Sequence, residues 1–505
     1  MILRPPFSFG SRRAQDYAPE SRWRALKRRL RTVGLASAIA LSGTASAQVV
    51  LPNIGDVSSG SFSSSEEREL AEAFLREIRR HLTLVEDPEI VRYIKNLGAQ
   101  LASATDDGDQ PFQFLAIGDR SINAFAGPGG VIGVNTGLIL ASNSESELAA
   151  VIAHEIAHVT QKHLARAIDN AERFTLPALA GMLAALVLAS QNAQAGQAAL
   201  AGVLAGSAQR SLDFTRSNEQ EADRVGIEIL ARAGFDPRAV PAFFEELQRA
   251  NRFYAEPPEF LSTHPVTVKR IADSRARAER YPYKQYTDSL DYLLVREKLR
   301  AFVPADPKDA VREFANNIKS GQVRNPVAAQ YGYAVALVRD KKFSDAKGIL
   351  EKLTKGDPER INFLAGLAYV NLKLGQAEEA FRLYRNALRI YPNDRALAPA
   401  YAEALYDQDN AEQAETILSK YKKHQELNAR EYELLARIYA KLGNRFAANA
   451  AIAESHYLEG DLSTAIHSLG VALRSSPPND YESSRVEARL SELEQEQEER
   501  QKRNR

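Results

Sequence analysis

The sequence predicts a mainly α-helical protein in two parts, an α-rich globular part containing one small β-sheet and then an α-solenoid. Three observations carry that prediction. Apolar residues recur at helical spacing through most of residues 66–285. Only short runs around 112–117 and 131–136 have strand character. From about residue 325, alanines return every 34 residues: Ala346, Ala380, Ala414 and Ala448.

The 505 residues exceed one compact core and fit two or three domains. Lys+Arg and Asp+Glu are equal at 65 each, so no basic field argues for nucleic acid as a partner. A mean hydropathy of −0.35 argues against a polytopic membrane protein. The absence of cysteine excludes disulfides, thiolate metal sites and cysteine catalysis.

Residues 1–47 read as a secretory signal peptide. Arg22, Arg24, Lys27, Arg28, Arg29 and Arg31 precede the apolar run Val33 to Leu41, and Ala45, Ser46 and Ala47 form a small-residue cleavage signature. The run is shorter than the ~20 residues that span a bilayer. Cleavage would leave 56 basic against 63 acidic residues, a mildly acidic mature chain. With no lipobox cysteine, the expected compartment is the periplasm. Residues 48–65, rich in serine with Gly55 and Gly60, read as a flexible mature N-terminus.

The first globular part is expected over 66–285. Leu70, Phe74 and Ile78, then Ile90, Ile94 and Leu97, mark two helices. The alternating Phe112–Ile117 run, the Gly127–Gly130 turn and the β-branched Val131–Thr136 run make the small sheet. Glu145 to Ala171 reads as one long helix. Residues 174–207, apolar and then Ala/Gly/Gln-rich, are too short and too interrupted by Pro177 and Gly181 for a span. A buried or interfacial hairpin is expected there, with peripheral membrane contact. Gly234 to Pro237 stops a helix, Pro257 and Pro258 open a loop, and Tyr281–Tyr286 leads out of this part.

The 34-residue period defines a tetratricopeptide-repeat domain over 290–480. Twelve residues before each repeated alanine stands another, at Ala334, Ala368, Ala402 and Ala436; Pro358 and Pro392 close two units. A half-step later the register returns as Ala453, Ala465 and Pro477. Small residues are needed where paired helices cross closely, and stacked pairs make a concave surface for a protein partner. Residues 481–505, mostly charged, read as a solvated helix or a disordered tail.

The chemistry centres on His154-Glu155-Ile156-Ala157-His158. Residues four apart share a helix face, so both imidazoles can reach one Zn²⁺, with Glu155 beside them as general base. The apolar surroundings Leu148, Ala149, Val151 and Ile152 would make unpaired imidazoles costly. Downstream, Glu219 and Asp223 stand at i and i+4. Glu219 can complete the ligand set while Asp223 accepts the distal N–H of a ligating histidine. Glu221, roughly 200° around the helix from Glu219, is the competing ligand. The histidine extension of metzincins is missing, because positions 161 and 164 are Gln and Leu; His163 reads as a surface residue or a neighbour of the ligands.

Asn123 to Ala126, the His154–His158 motif, Glu219 to Asp223, Ser262 to Pro265 and Arg270 together resemble the HtpX and CAAX-prenyl-protease superfamily of zinc metallopeptidases. The first part is thus expected as a zincin metallopeptidase domain. The leader and repeats resemble the periplasmic, repeat-bearing branch of that superfamily, which acts in outer-membrane β-barrel assembly. The resemblance implies one zinc per subunit on His154, His158 and Glu219, with Glu155 catalytic. It implies His264 as a reversible fourth ligand and self-inhibiting latch, although a loop histidine without metal contact remains the local alternative. It also implies Arg270 beside the oxyanion, and the strand Val131, Ile132, Gly133 and Val134 as an exposed edge for substrate backbone. The expected function is a periplasmic endopeptidase degrading unfolded or stalled outer-membrane proteins, its repeats recruiting client or β-barrel assembly machinery. The alternative is a mainly non-proteolytic chaperone or scaffold.

Overall fold

A computed structural model describes residues 64–106, 110–170, 208–253, 258–475 and 479–503. The expected signal peptide, the flexible mature N-terminus as far as 63, the apolar tract 174–207, Pro257 and Pro477 lie outside the described residues. Among the described residues no helix is long and apolar enough to cross a membrane.

The first helix, α1 (Ser64–His81), buries Leu70, Phe74 and Ile78 in one stripe against Ile117 and Val131 of the sheet. Asp87 caps α2 (Pro88–Ala102) by accepting from the backbone N–H groups of Glu89 and Ile90, with Pro88 at the first position. The sheet consists of β1 (Gln113–Ile117), β2 (Ala124–Ala126) and β3 (Val131–Asn135), in the order β1-β3-β2. The turn into β3 needs glycine. Gly129 and Gly130 have φ of 64° and 73°, and a Cβ on Gly130 would stand 2.0 Å from the Pro111 carbonyl oxygen.

This order corrects the expected edge strand. β3 pairs in parallel with β1 and antiparallel with β2, so Val131, Ile132, Gly133 and Val134 are central and fully buried. Its unbroken apolar run, without polar alternation, is the pattern of a strand covered on both faces. Among the described residues the strand nearer the motif helix that keeps an outer edge is β2.

After α3 (Thr136–Ala141), Ser144 caps the motif helix α4 (Glu145–Thr160), in which every residue from Glu145 to Ala157 is buried. The expected single helix to Ala171 is interrupted. Gln161 ends α4, Lys162 turns the chain at φ 53°, and α5 (His163–Asn170) begins anew. The long α6 (Ala208–Arg232) crosses α4 closely because Gly226 lies on its inner face. A Cβ there would stand 3.2 Å from His154 Cα and N. Gly234, at φ 88°, follows the end of α6. Then come α7 (Ala239–Phe253), the short α8 (Glu259–Thr263) that leads into His264, and α9 (Val268–Ala278).

The solenoid runs from α10 (Leu290–Phe302) and α11 (Pro307–Ser320) through α12 (Pro326–Arg339), α13 (Phe343–Gly356), α14 (Ile361–Lys373), α15 (Ala377–Ile390) and α16 (Leu397–Asp407). It continues as α17 (Ala411–Lys422), α18 (Ala429–Lys441), α19 (Arg445–Leu458) and α20 (Leu462–Arg474). Ala334, Ala346, Ala368, Ala380, Ala402 and Ala414 are all buried at the helix crossings. At α19 the phase shifts: Ala448 is only half-buried, and Ala453 and Ala465 take the buried positions instead. The charged end is α21 (Asp480–Arg503), which buries Val486 and Leu493 against α19 and α20 and anchors Arg489 on Glu454.

The two parts share a core, since one cluster of buried residues extends from Ile90 to Val370. Buried carboxylates bind them further. Glu89 accepts from Tyr331 and Asn362 at 2.6 Å each, and Lys298 pairs with it at 3.1 Å. Glu145, in the first turn of α4, accepts from Tyr93 at 3.0 Å and from the Ser289 N–H and hydroxyl at 2.7 Å each. The motif helix is thus tied directly to the start of α10.

Candidate metal centre

His154 and His158 lie one turn apart on α4, and their Nε2 atoms are 3.0 Å apart. Two acceptors can face each other so closely only across a proton or a cation. Glu219 on α6 brings Oε2 to 3.4 Å from His154 Nε2 and Oε1 to 3.4 Å from His158 Nε2. His264 closes the group from the end of α8. Its Nδ1 is 3.0 and 3.2 Å from the Glu219 oxygens and 3.4 Å from His154 Nε2. Among the described residues these four form the group able to hold a metal ion, with one ligand atom from each inside a 4.8 Å span.

The fit to zinc is close. Ligands at ~2.0–2.1 Å from a tetrahedral zinc stand about 3.4 Å from one another, and the spacings among His154, His158 and Glu219, and from His154 to His264, are 3.0 to 3.4 Å. Three imidazoles with one carboxylate is also a donor set that suits zinc. A further sign is Glu155, which is buried and whose Oε1 has no hydrogen-bond partner. His264 Nε2 stands 3.5 Å from that oxygen, too far for a hydrogen bond, and an acceptor so placed beside a ligand cluster suits a group that handles a proton there.

The surrounding charges are consistent with a cation. Burial disfavours charge on His158 and lowers it to about 3, leaving a neutral ring with a free lone pair. Burial acts the same way on His154, but Asp223 and Glu219 outweigh it and carry that ring to about 9. Glu219 also resists its burial: His264, His154 and His158 hold it well below the usual carboxylate range. Burial raises Glu155, with only partial relief from the nearby histidines.

Asp223, one turn beyond Glu219, has Oδ1 3.1 Å from His154 Nδ1. The ring N–H is off line, so the contact is ionic more than a straight hydrogen bond. Arg270 reaches both carboxylates of this helix. Its Nε and Nη2 each donate to Asp223 at 2.7 Å, and Nη1 donates to the Pro265 carbonyl at 2.8 Å and pairs with Glu219 at 2.9 Å. The guanidinium is buried and clamps two adjacent carboxylates that would otherwise repel.

Glu221, the competing ligand, faces away from the cluster. It pairs with Arg166 at 2.7 Å and with His163 Nε2 at 3.1 Å, while His163 Nδ1 lies 2.8 Å from His158 Nδ1. His264 stacks on Phe260 at 4.7 Å, and the Phe260 N–H donates to the Ile122 carbonyl, joining α8 to the segment before β2. The partners of Arg270, Glu221 and Phe260 were not legible from sequence. Only the i, i+4 spacing of Glu219 and Asp223 hinted at a positive neighbour.

Residues 88–278 match peptidase family M48, and residues 371–438 match the tetratricopeptide repeat. The chain is 35% identical over 451 residues to a beta-barrel assembly-enhancing protease of Yersinia pestis, covering 89% of this chain and 93% of that one. It is 35% identical to the protein of that name in Escherichia coli K12, covering 89% and 92% of the two chains. To a putative beta-barrel assembly-enhancing protease of Vibrio cholerae it is 36% identical, covering 88% and 92%.

Proposed function

The chain belongs to the family of beta-barrel assembly-enhancing proteases, M48 metallopeptidases joined to tetratricopeptide repeats, and on that footing we propose that it is a zinc-dependent endopeptidase of the bacterial envelope. Its clients would be misassembled outer-membrane β-barrel proteins. The observation that carries this reading is the convergence of His154, His158 and Glu219 beside the buried Glu155 carboxylate.

His154, His158 and Glu219 would hold the zinc, which when bound acidifies a water and polarises a scissile carbonyl. Glu155 takes the proton lost by the attacking water and returns it to the leaving amine. Its raised affinity for a proton, from burial, suits a group that must hold one between the two steps. Arg270 and Asp223 keep Glu219 and His154 in position. The outer edge of β2 offers backbone groups to an extended substrate.

His264 is the fourth ligand of a resting state and leaves when substrate enters. Its contacts with Glu219 and His154, and its stacking on Phe260, support that latch. The remaining assignments follow the sequence: a signal peptide over 1–47 with periplasmic export, a mature N-terminus over 48–65, a peptidase domain over 66–285, repeats over 290–480 that recruit client or assembly machinery, and the end segment 481–505. A latched site also supports the second reading, a scaffold whose proteolysis is off most of the time.

The test uses purified protein and an unfolded outer-membrane protein. Glu155→Gln should lower cleavage about 10²- to 10⁴-fold while retaining one zinc per chain. Cleavage at the wild-type rate would overturn the assignment. To weigh the second reading, Glu155→Gln and a variant lacking 325–480 are compared for rescue of outer-membrane assembly. Rescue by the former alone favours the scaffold.

A further inference from the structure

His158 has two ring nitrogens, and only one faces the ligand cluster. Nε2 lies 3.0 Å from His154 Nε2, whereas Nδ1 points outward and meets Nδ1 of His163 at 2.8 Å. The second imidazole is buried. Its own Nε2 lies 3.1 Å from Glu221 Oε2, and Arg166 Nη2 donates to that same oxygen at 2.7 Å. The backbone makes this contact. Five residues along an unbroken helix place a side chain about 140° around the axis, out of reach. The break at Gln161 and the left-handed Lys162, at φ 53°, return His163 to the ring it could not otherwise touch.

Hydrogen counting gives the chain a direction. A nitrogen that lends its lone pair to a metal carries no proton, so neutral His158 carries its proton on Nδ1. Glu221 as a carboxylate can only accept, and Arg166 can only donate. His163 must therefore give Glu221 its Nε2 proton, which leaves a lone pair on its Nδ1 facing the His158 N–H. Each hydrogen then has one owner, from His158 to His163 to Glu221.

We infer that His163 is a positioning residue for the metal ligand His158: it accepts the outward N–H of that ring, and Glu221, held by Arg166, fixes the His163 tautomer able to accept. The inference rests on the reading of His154, His158 and Glu219 as metal ligands. It gives the two histidine ligands unlike supports, a carboxylate for His154 and a neutral ring for His158. It also gives Glu221 a task that does not compete with Glu219. Without His163, the His158 ring keeps a buried donor unpaired and is freer to rotate away from the metal.

The experiment measures Zn²⁺ affinity of the full chain by competition with a chromophoric chelator, beside thermal melts of the metal-free proteins. His163→Phe keeps a buried ring but no acceptor and should weaken zinc about 10- to 100-fold. His163→Asn puts Oδ1 near the former Nδ1 and should restore affinity to within about threefold of wild type. Glu221→Ala leaves the ring but frees its tautomer, with an expected loss of about three- to tenfold, below the full loss of the acceptor. Wild-type affinity in His163→Phe overturns the inference. So does an affinity in His163→Asn as low as in His163→Phe, which would mark a packing role. Should His163→Phe not fold, unchanged affinity in Glu221→Ala decides against the chain. A wild-type protein that binds no zinc is a separate result and overturns the metallopeptidase reading itself.

Discussion

Glu259→Gln should remove a pH dependence from the stability of this protein. Glu259 opens α8, the helix that delivers His264, and lies against the segment before β2. Its Oε1 is buried without a hydrogen-bond partner. Burial, with Asp119 adding to it, pushes the Glu259 carboxyl up to about 7, and nearby Ser121 and Asn123 offset this only in part. The folded state therefore binds the proton more tightly than the unfolded chain, whose carboxyl titrates near 4.5. The stability this provides is complete below about pH 4.5 and is lost as pH rises through about 7. Between pH 5 and 8 the full linkage is about 2.5 kcal/mol, and partial solvent exposure reduces it to about 1–2 kcal/mol. A glutamine amide is uncharged at every pH, so its burial carries no proton linkage. In urea unfolding with chelator present, the variant should gain about 1–2 kcal/mol on wild type between pH 5 and pH 8. The same difference between the two proteins at both pH values would refute the reasoning.

Other expectations follow from single contacts. Gly226→Val puts branched carbon against the His154 backbone, 3.2 Å from the position of a Cβ, and should cost about 1–3 kcal/mol in unfolding measurements. By prising α6 from α4 it should also weaken zinc in chelator competition, whereas unchanged affinity would mean that the crossing does not set the ligand spacing. His264→Ala should raise cleavage of an unfolded client; unchanged kcat/KM would count against the latch. Ala380→Leu overfills a fully buried helix crossing and should cost about 1–3 kcal/mol in thermal or denaturant unfolding, with zinc content unaltered.

Much of the fold, and the grouping of His154, His158 and Glu219, was legible because both depend on spacing. A four-residue step puts His154 and His158 on one face whatever surrounds them, and a step of two sends Glu221 away from Glu219. The repeats were legible for the same reason, since close crossings accept only small side chains. What sequence spacing could not reach were contacts set by other elements. Both β1 and β2 flank β3, and no local pattern in Val131 to Asn135 fixed that order, although its lack of alternation pointed to burial. Lys162 broke an otherwise helical stretch with no glycine or proline to mark the place. Arg270 could be matched to a motif but not aimed. Two carboxylates from α6 captured its guanidinium, and only packing reveals that. Similarly, α21 looked like a charged tail because its three apolar contacts, Val486, Leu490 and Leu493, are sparse among charges.

The most direct test combines metal analysis with X-ray absorption at the zinc edge on the purified chain and on Glu219→Ala. One zinc per wild-type chain is expected, coordinated only by nitrogen and oxygen at ~2.0–2.2 Å and with imidazole scattering, and its loss or severe weakening in Glu219→Ala. Absence of stoichiometric metal from the wild-type protein after zinc loading, or an unchanged spectrum and affinity without the Glu219 carboxylate, would contradict the account.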